Sequence, residues 1–269
     1  MTTRRLVGRE RELVALEEAL AAAERGHGQI VLVSGEAGIG KSRFATEVAD
    51  LARERGFAVL EGRAYPLYAG LAYAPVVEAL LAHLTVRPEP EVEEIFAGLP
   101  DLGRLIPHPA LPIPMPVGDP ELETTRMFIA VSRLVERLLQ RQPMMLFVDD
   151  LHWADRGTVE LVHYLARSTA TKRLLVLGTY RDGALSDGLR LLVTYARRTD
   201  PRCEVRLPPL TAAEVTQLVD VVLGHRPSAE LGHAINQRAK GVPLFATTLA
   251  ETHVGRAAVS PGLPVVIRE

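Results

Sequence analysis

The sequence predicts an α/β fold, a parallel sheet flanked by helices, followed by a small all-helical unit. Three observations predict it. Short apolar, β-branched runs alternate with helical patterns along the first two hundred residues. One of those runs feeds a glycine-rich turn that opens a helix. After Pro208-Pro209 the strand patterns stop and only helical ones continue.

Glu10–Arg25 reads as a helix, with Leu13, Leu16 and Leu20 at helical spacing and Gly26-His27-Gly28 ending it. Gln29–Ser34 (QIVLVS) is a buried strand, Gly35–Gly40 a turn, Lys41–Arg55 a second helix and Phe57–Glu61 another strand. Nine prolines fall between Arg87 and Pro120. Proline fixes φ and removes a backbone donor, so this stretch reads as a long irregular surface excursion rather than a helix or a central strand. Asp119-Pro120-Glu121 then opens a strong helix: an N-cap, a proline in the first turn and an acid at the positive dipole end. That helix ends near Gln142-Pro143. Met144–Val148 is a buried strand ending in Asp149-Asp150, Gly157–Arg167 a helix, and Leu174–Thr179 and Glu204–Leu207 strands. In the last part, Thr211 and Glu214 form a capping box for a helix to about Leu223. Ser228–Lys240 and Pro243–Val254 follow as helices.

Composition bounds the function. A chain of 269 residues holds one large or two small domains, each able to bury its own core. With 31 Lys+Arg against 33 Asp+Glu the formal net charge is −2, without the basic excess of a nucleic-acid binder. Apolar runs such as Met144–Val148 are far shorter than the roughly 18 residues of a membrane span. The N-terminal stretch turns charged where an export signal turns apolar, and the single cysteine, Cys203, suits a reducing compartment. Together these lead us to expect a cytoplasmic protein without membrane or direct nucleic-acid contacts.

The chemistry is carried by Gly35, Glu36, Ala37, Gly38, Ile39, Gly40, Lys41 and Ser42, which fit G-x-x-x-x-G-K-[ST]. Its glycines let backbone N–H groups turn inward on phosphate oxygens, and the following helix adds its positive end. In that pattern Lys41 reaches the β- and γ-phosphates and the Ser42 hydroxyl ligates Mg²⁺. The apolar strand MMLFVDD delivers Asp149 to its carboxyl end, where ligands sit in open α/β sheets. Asp149 is read as the Mg²⁺-positioning acid and Asp150 as the group that polarises the attacking water. Arg181, at the end of the next strand, either stabilises a γ-phosphate in flight or is a surface arginine paired with Asp182. His152, Trp153 and Asp155 lie near these acids, with Trp153 read as a packing anchor. Arg197, Arg198, Arg202 and Arg206 read as a solvated edge. No zinc-ligand spacing occurs, and a guanine-specific Asn-Lys-x-Asp segment is absent.

VGRERELVALEEAL, GEAGIGKSR, LFVDDLHWAD, GTYRD and GVPLFATTLAE stand in that order from about Leu6 to Glu251. The set resembles the nucleotide-binding module of the STAND ATPases, in the AAA-like branch of P-loop proteins. It is most similar to the modules of large LuxR-type bacterial transcriptional regulators and of adenylate-cyclase-linked proteins. The resemblance implies sheet order 5-1-4-3-2 and ATP or ADP as ligand. Val7, Gly8 and Arg9 then line the adenine pocket, Gly35 to Arg43 hold the nucleotide, Arg181 is the sensor arginine, and Pro243 packs near adenine. The family usually carries Asn where Val242 stands, so a polar side chain is lost there.

The resemblance further implies residues 1–208 as the nucleotide-binding domain, 209–254 as a helical lid, and 255–269 as a tail. That tail resembles the lead-in to a winged helix. The activity implied is slow Mg²⁺-dependent hydrolysis of ATP in a regulatory switch that self-associates in its ATP state. Two alternatives stand beside it: an initiator or loader ATPase acting on DNA, and an interaction module that binds nucleotide with negligible hydrolysis.

Overall fold

The computed structural model describes residues 6–68, 71–112, 114–116 and 118–259. These residues divide into two compact units.

The larger unit comprises residues 11–35 and 41–206. It holds most of α1 (Glu10–Glu24), then β1 (Gln29–Gly35), α2 (Lys41–Glu54), β2 (Ala58–Arg63), α3 (Ala74–Leu84) and α4 (Glu89–Phe96). After these come α5 (Pro120–Arg141), β3 (Met144–Asp149), α6 (Arg156–Ser168), β4 (Leu174–Arg181), α7 (Asp187–Thr199) and β5 (Glu204–Arg206). The five strands make one sheet of order β2-β3-β4-β1-β5, parallel throughout. It is the expected 5-1-4-3-2 order read from the other edge. β1, β3 and β4 are buried nearly end to end, as strands covered on both faces must be. β2 lies at an edge and alternates buried with exposed positions.

Register decides what the sheet offers at its carboxyl ends. Gly35 pairs with Arg181, Arg63 with Asp149, and Val148 with Gly178. β1 and β4 therefore end together, as do β2 and β3, and the β2–β3 pair stops two residues short of the β1–β4 pair; all four carboxyl ends open on the same edge of the sheet.

The helices follow their caps. Asp119 accepts from the backbone N–H of Glu121 and Leu122 at the start of α5, with Pro120 in the first turn. Asp155 caps α6 and Ser186 caps α7. α3 and α7 were not anticipated, although Leu189, Leu192, Val193 and Ala196 bury one stripe of α7.

The proline-rich stretch corrects the expectation of an irregular surface excursion. α4 forms within it, followed by a 3-10 turn at Pro100–Arg104. Val92, Ile95, Phe96, Leu102 and Ile106 are buried in the main core. Pro88 is the N-cap of α4, and a proline also stands in its first turn. Those positions have no intrahelical N–H bond to lose.

The smaller unit gathers residues 6–10, 36–40 and 207–259. It is helical: α8 (Ala212–Leu223), α9 (Ala229–Ala239) and α10 (Pro243–Val259). The capping box of Thr211 and Glu214 is complete. Leu210, Val215, Val219, Ile235, Ala239, Ala246 and Ala250 form its core. α10 runs five residues past the expected Val254, and the rest of the expected tail, 260–269, lies outside the described residues. No helix among the described residues is long and apolar enough to cross a membrane.

Candidate functional site

β1 is apolar up to Ser34 and ends at Gly35, and α2 begins at Lys41. In the loop between them Gly38 and Gly40 adopt φ of +76° and +97°, a region that L side chains rarely enter. A Cβ on Gly38 would also come 3.0 Å from Leu244 Cβ. Both glycines are thus required by the backbone path, as expected of a loop that curls around an anion.

In the larger unit the carboxyl ends of the strands and the start of α2 carry the polar chemistry. Lys41 is buried, and its Nζ donates to the Gly35 carbonyl at 3.1 Å. Burial pulls the Lys41 ammonium below its ordinary range, and the charges of Asp150, Asp182 and Asp149 oppose that shift. Ser42 Oγ donates to Asp149 Oδ1 at 3.0 Å. Thr179 Oγ1 donates to the same oxygen at 2.5 Å and accepts from the Asp150 N–H at 2.9 Å. Asp150 is held with φ +58°, a strained conformation for a residue other than glycine, and the Thr179 bond pins it there. Arg181 is exposed at the end of β4. The charge of Arg181 acts on both Lys41 and His152. Its expected surface partner, Asp182, pairs instead with Arg206, 3.1 Å away.

The same edge of the sheet contains a residue that sequence reasoning missed. Arg63, at the end of β2, places Nη2 2.9 Å from Asp150 Oδ2 and Nε 3.6 Å from Asp149 Oδ2. Its guanidinium is held above its ordinary range, first by the hydrogen bond to Asp150. The expected strand ended at Glu61, two residues short, and nothing local marks Arg63 as the partner of residues 86 and 87 positions away.

The residues around the acids divide by role. Asp155 is structural: it accepts from Thr158 N and Tyr73 N. Trp153 is 44% exposed and stacks on His152 with ring centroids 5.0 Å apart, so the expected packing anchor is a half-open surface ring. The arginine edge is matched by acids: Arg197 pairs with Glu204, and Arg202 with Asp200 and Glu18.

In the smaller unit Arg9 is buried and donates to the carbonyls of Pro208 at 2.8 Å and Ile39 at 3.3 Å. It ties Val7-Gly8-Arg9 to the loop segment Glu36–Gly40. Leu244, just after Pro243, donates its N–H to the Gly38 carbonyl at 3.2 Å. Of the residues expected near adenine, Arg9 thus bonds to this loop segment directly and Pro243 stands next to a residue that does. Glu36 and Ala37 are exposed, and Arg43 is exposed on α2.

The donor set suits a hard divalent cation with few protein ligands. Ser42 and Asp149 present two oxygens 3.0 Å apart, while no group of three or more acidic, histidine or cysteine side chains capable of holding a metal occurs among the described residues. Mg²⁺ is commonly bound by one or two protein oxygens, substrate phosphates and water rather than by an all-protein cage.

Comparison with known proteins agrees with the fold. Residues 5–177 match the family profile described as "AAA ATPase domain". A Rhizobium meliloti (strain 1021) protein described as "Uncharacterized protein R02095" is 28% identical over 209 residues, covering 68% of this chain and 19% of that protein. The chain therefore spans about a fifth of that relative's length. Among solved structures, Cdc6p from Pyrobaculum aerophilum aligns with a TM-score of 0.58 at 16% identity, over 96% of this chain and 63% of its own. AMPPCP-bound DnaA from Aquifex aeolicus aligns with a TM-score of 0.51 at 15% identity, over 96% and 65%. Thermotoga maritima RuvB gives 0.52 at 16%, over 94% and 64%. At these identities the likeness is one of fold, and the chain spans less than two thirds of each.

Proposed function

The chain belongs to the AAA ATPase domain family, and on that premise we propose that it is a slowly hydrolysing ATP switch of the STAND class. In this reading it serves a signal-transducing or transcriptional regulator of the LuxR type. The observation that carries the reading is the grouping of Asp149, Asp150 and Arg181 at the carboxyl ends of β3 and β4 with Lys41 and Ser42 at the start of α2, Ser42 bonded to Asp149 and Lys41 to the end of β1. One lysine, one hydroxyl, two acids and an arginine are thus gathered in the larger unit.

In this reading the backbone N–H groups of residues 35–43 bind the phosphates, and the Lys41 ammonium neutralises the β- and γ-oxygens. Ser42 and Asp149 hold Mg²⁺, which supplies charge neutralisation to the phosphates when bound. Thr179 fixes the Asp149 carboxylate and the Asp150 backbone. Asp150 accepts a proton from the attacking water, and Arg181 meets the charge that grows on the transferred group. Val7, Gly8, Arg9 and Pro243 contact the adenine. Residues 1–208 act as the nucleotide-binding domain and 209–254 as the lid, and the ATP state self-associates. The compartment is the cytoplasm.

Slow turnover follows from two features. Asp150 is one methylene shorter than a glutamate, which leaves its carboxylate further from a γ-phosphate. Arg63 also competes for it as an ion-pair partner. The acid-paired arginines of the β5 edge support a module without its own nucleic-acid surface.

The test is single-turnover hydrolysis with the purified chain and Mg²⁺-ATP. One slow turnover, with ADP retained, is the expected result. Release of many phosphates per second without any inducer overturns the switch reading.

A further inference from the structure

We propose that His152 is a water-positioning residue, holding the attacking water jointly with Asp150. The inference rests on the ATP-hydrolysing reading above and adds a residue to it.

Four observations carry it. The His152 side chain is 6% exposed, and its Nδ1 stands 4.0 Å from Asp150 Oδ1. That nitrogen is buried and has no hydrogen-bond partner. A buried imidazole nitrogen left unsatisfied costs free energy unless a ligand or water meets it. A separation of 4.0 Å is too long for a direct hydrogen bond, and it is a span that one water bonded to both atoms at about 2.8 Å would bridge.

The third observation concerns rigidity. Asp150 opens a 3-10 turn at Leu151–Trp153, closed by Trp153 N–H to the Asp150 carbonyl at 2.8 Å. The Trp153 ring lies against the imidazole. Backbone and ring together fix where Nδ1 points. The fourth is electrostatic. Burial lowers the His152 pKa, Asp150 and Asp149 raise it, and Lys41 and Arg181 lower it. The imidazole therefore shares its surroundings with the groups assigned to the γ-phosphate, and it stays neutral near pH 7. A neutral ring offers one donor and one acceptor nitrogen, which is what a water needs to be oriented rather than merely attracted.

The step balances as follows. The water oxygen bonds to the γ-phosphorus while the bond from phosphorus to the β–γ bridging oxygen breaks. Its electron pair leaves on ADP. One water proton passes through Asp150 to solvent, and the other stays on the released phosphate. His152 takes no proton in this scheme; it aims a lone pair of the water at phosphorus.

The experiment exploits which nitrogen is involved. An Asn side chain places its terminal polar atoms near the position of Nδ1, and a Gln places them near Nε2. Single-turnover rates and ATP affinities are measured for the full chain and for His152→Asn, His152→Gln and His152→Phe. His152→Phe keeps a ring against Trp153 without nitrogens. We expect His152→Asn to hydrolyse within about threefold of wild type. His152→Gln and His152→Phe should fall by tenfold to a hundredfold, on the order of losing one oriented hydrogen-bonding group. ATP affinity should stay within about twofold in all three.

Equal rates in all variants overturn the proposal. Parallel loss of affinity and rate also overturns it, making His152 a structural residue. Should His152→Phe not fold, the Asn and Gln pair decides alone, and equal behaviour of the two is contrary. A wild-type chain that binds ATP but cleaves none removes the hydrolysis reading itself. A cleaving wild type with unaffected variants removes only the role of His152.

Discussion

Arg63 Nη2 lies 2.9 Å from Asp150 Oδ2, so the acid assigned to the attacking water is shared with a guanidinium from the neighbouring strand. The pairing is a consequence of register, because Arg63 stands opposite Asp149. Half of the Arg63 side chain is exposed, and an ion pair open to solvent to that degree is worth at most about 1 kcal/mol. Converted to a rate, that is about fivefold. Arg63→Gln is therefore expected to raise single-turnover hydrolysis about two- to fivefold and to move the melting temperature by only a few degrees. A tenfold fall in rate would show that the guanidinium serves the reaction instead of restraining it.

Lys41→Ala and Asp150→Asn should fail in opposite ways. Lys41→Ala removes the buried cation and its bond to the Gly35 carbonyl, and ATP and ADP affinity should drop by at least a hundredfold in calorimetric titration. Asp150→Asn keeps the size of the side chain but not the base. It should retain nucleotide while hydrolysis falls by about a hundredfold or more, so that ATP accumulates on the protein. Retained binding in Lys41→Ala would contradict the phosphate-loop assignment.

Thr179 is fully buried and bridges both acids. Thr179→Val keeps the volume and leaves the Asp150 N–H without its acceptor, which costs about 1–3 kcal/mol. Denaturant melts should show that loss, and hydrolysis should fall more than ATP affinity does. Thr179→Ser should recover most of both, since the hydroxyl is retained. A silent Thr179→Val would mean that neither acid depends on this hydroxyl.

Three histidines set the dependence of stability on pH. Burial lowers the pKa of His83, His152 and His163, with Arg87 adding to the shift at His83 and Arg167 at His163. The unfolded chain takes up protons near the ordinary histidine value of about 6.5, while the folded chain resists. Stability is therefore unaffected by these groups above that pH and decreases as the pH falls below it. Asp200, Glu204 and Glu214 are held below the usual carboxylate range, by Arg202, by Arg197 and by the Thr211 cap respectively. They extend the loss below about pH 4.5. Melting temperatures should drop from pH 7 to pH 5 and drop further toward pH 4. A melting temperature that rises toward pH 5 would contradict this assignment.

The parts of the site that were legible in the sequence are those set by local chain geometry. Gly38 and Gly40 are needed for positive φ within one turn, and Ser42 and Lys41 follow from the same eight residues. Asp149 is legible because a fully apolar run must be a central strand, and such a strand delivers its last residue to the ligand-binding edge. Arg63 was not legible, because its role comes from strand register, which no local pattern encodes. α4 was hidden because Pro88 and its neighbouring prolines read as breakers, whereas at an N-cap or in a first turn they break nothing. The exposure of Trp153 was equally hidden, since it depends on the 3-10 turn that turns its ring outward. The strand order itself was implied by family resemblance, not by any run of residues.

The central claim is that this chain holds nucleotide as a switch instead of cycling it as a motor. The most direct measurement is the identity and amount of nucleotide released when the freshly purified chain is denatured and its supernatant separated by chromatography. The account predicts close to one ADP per chain, retained through purification. Chains that emerge empty and then turn over many ATP per second would contradict it.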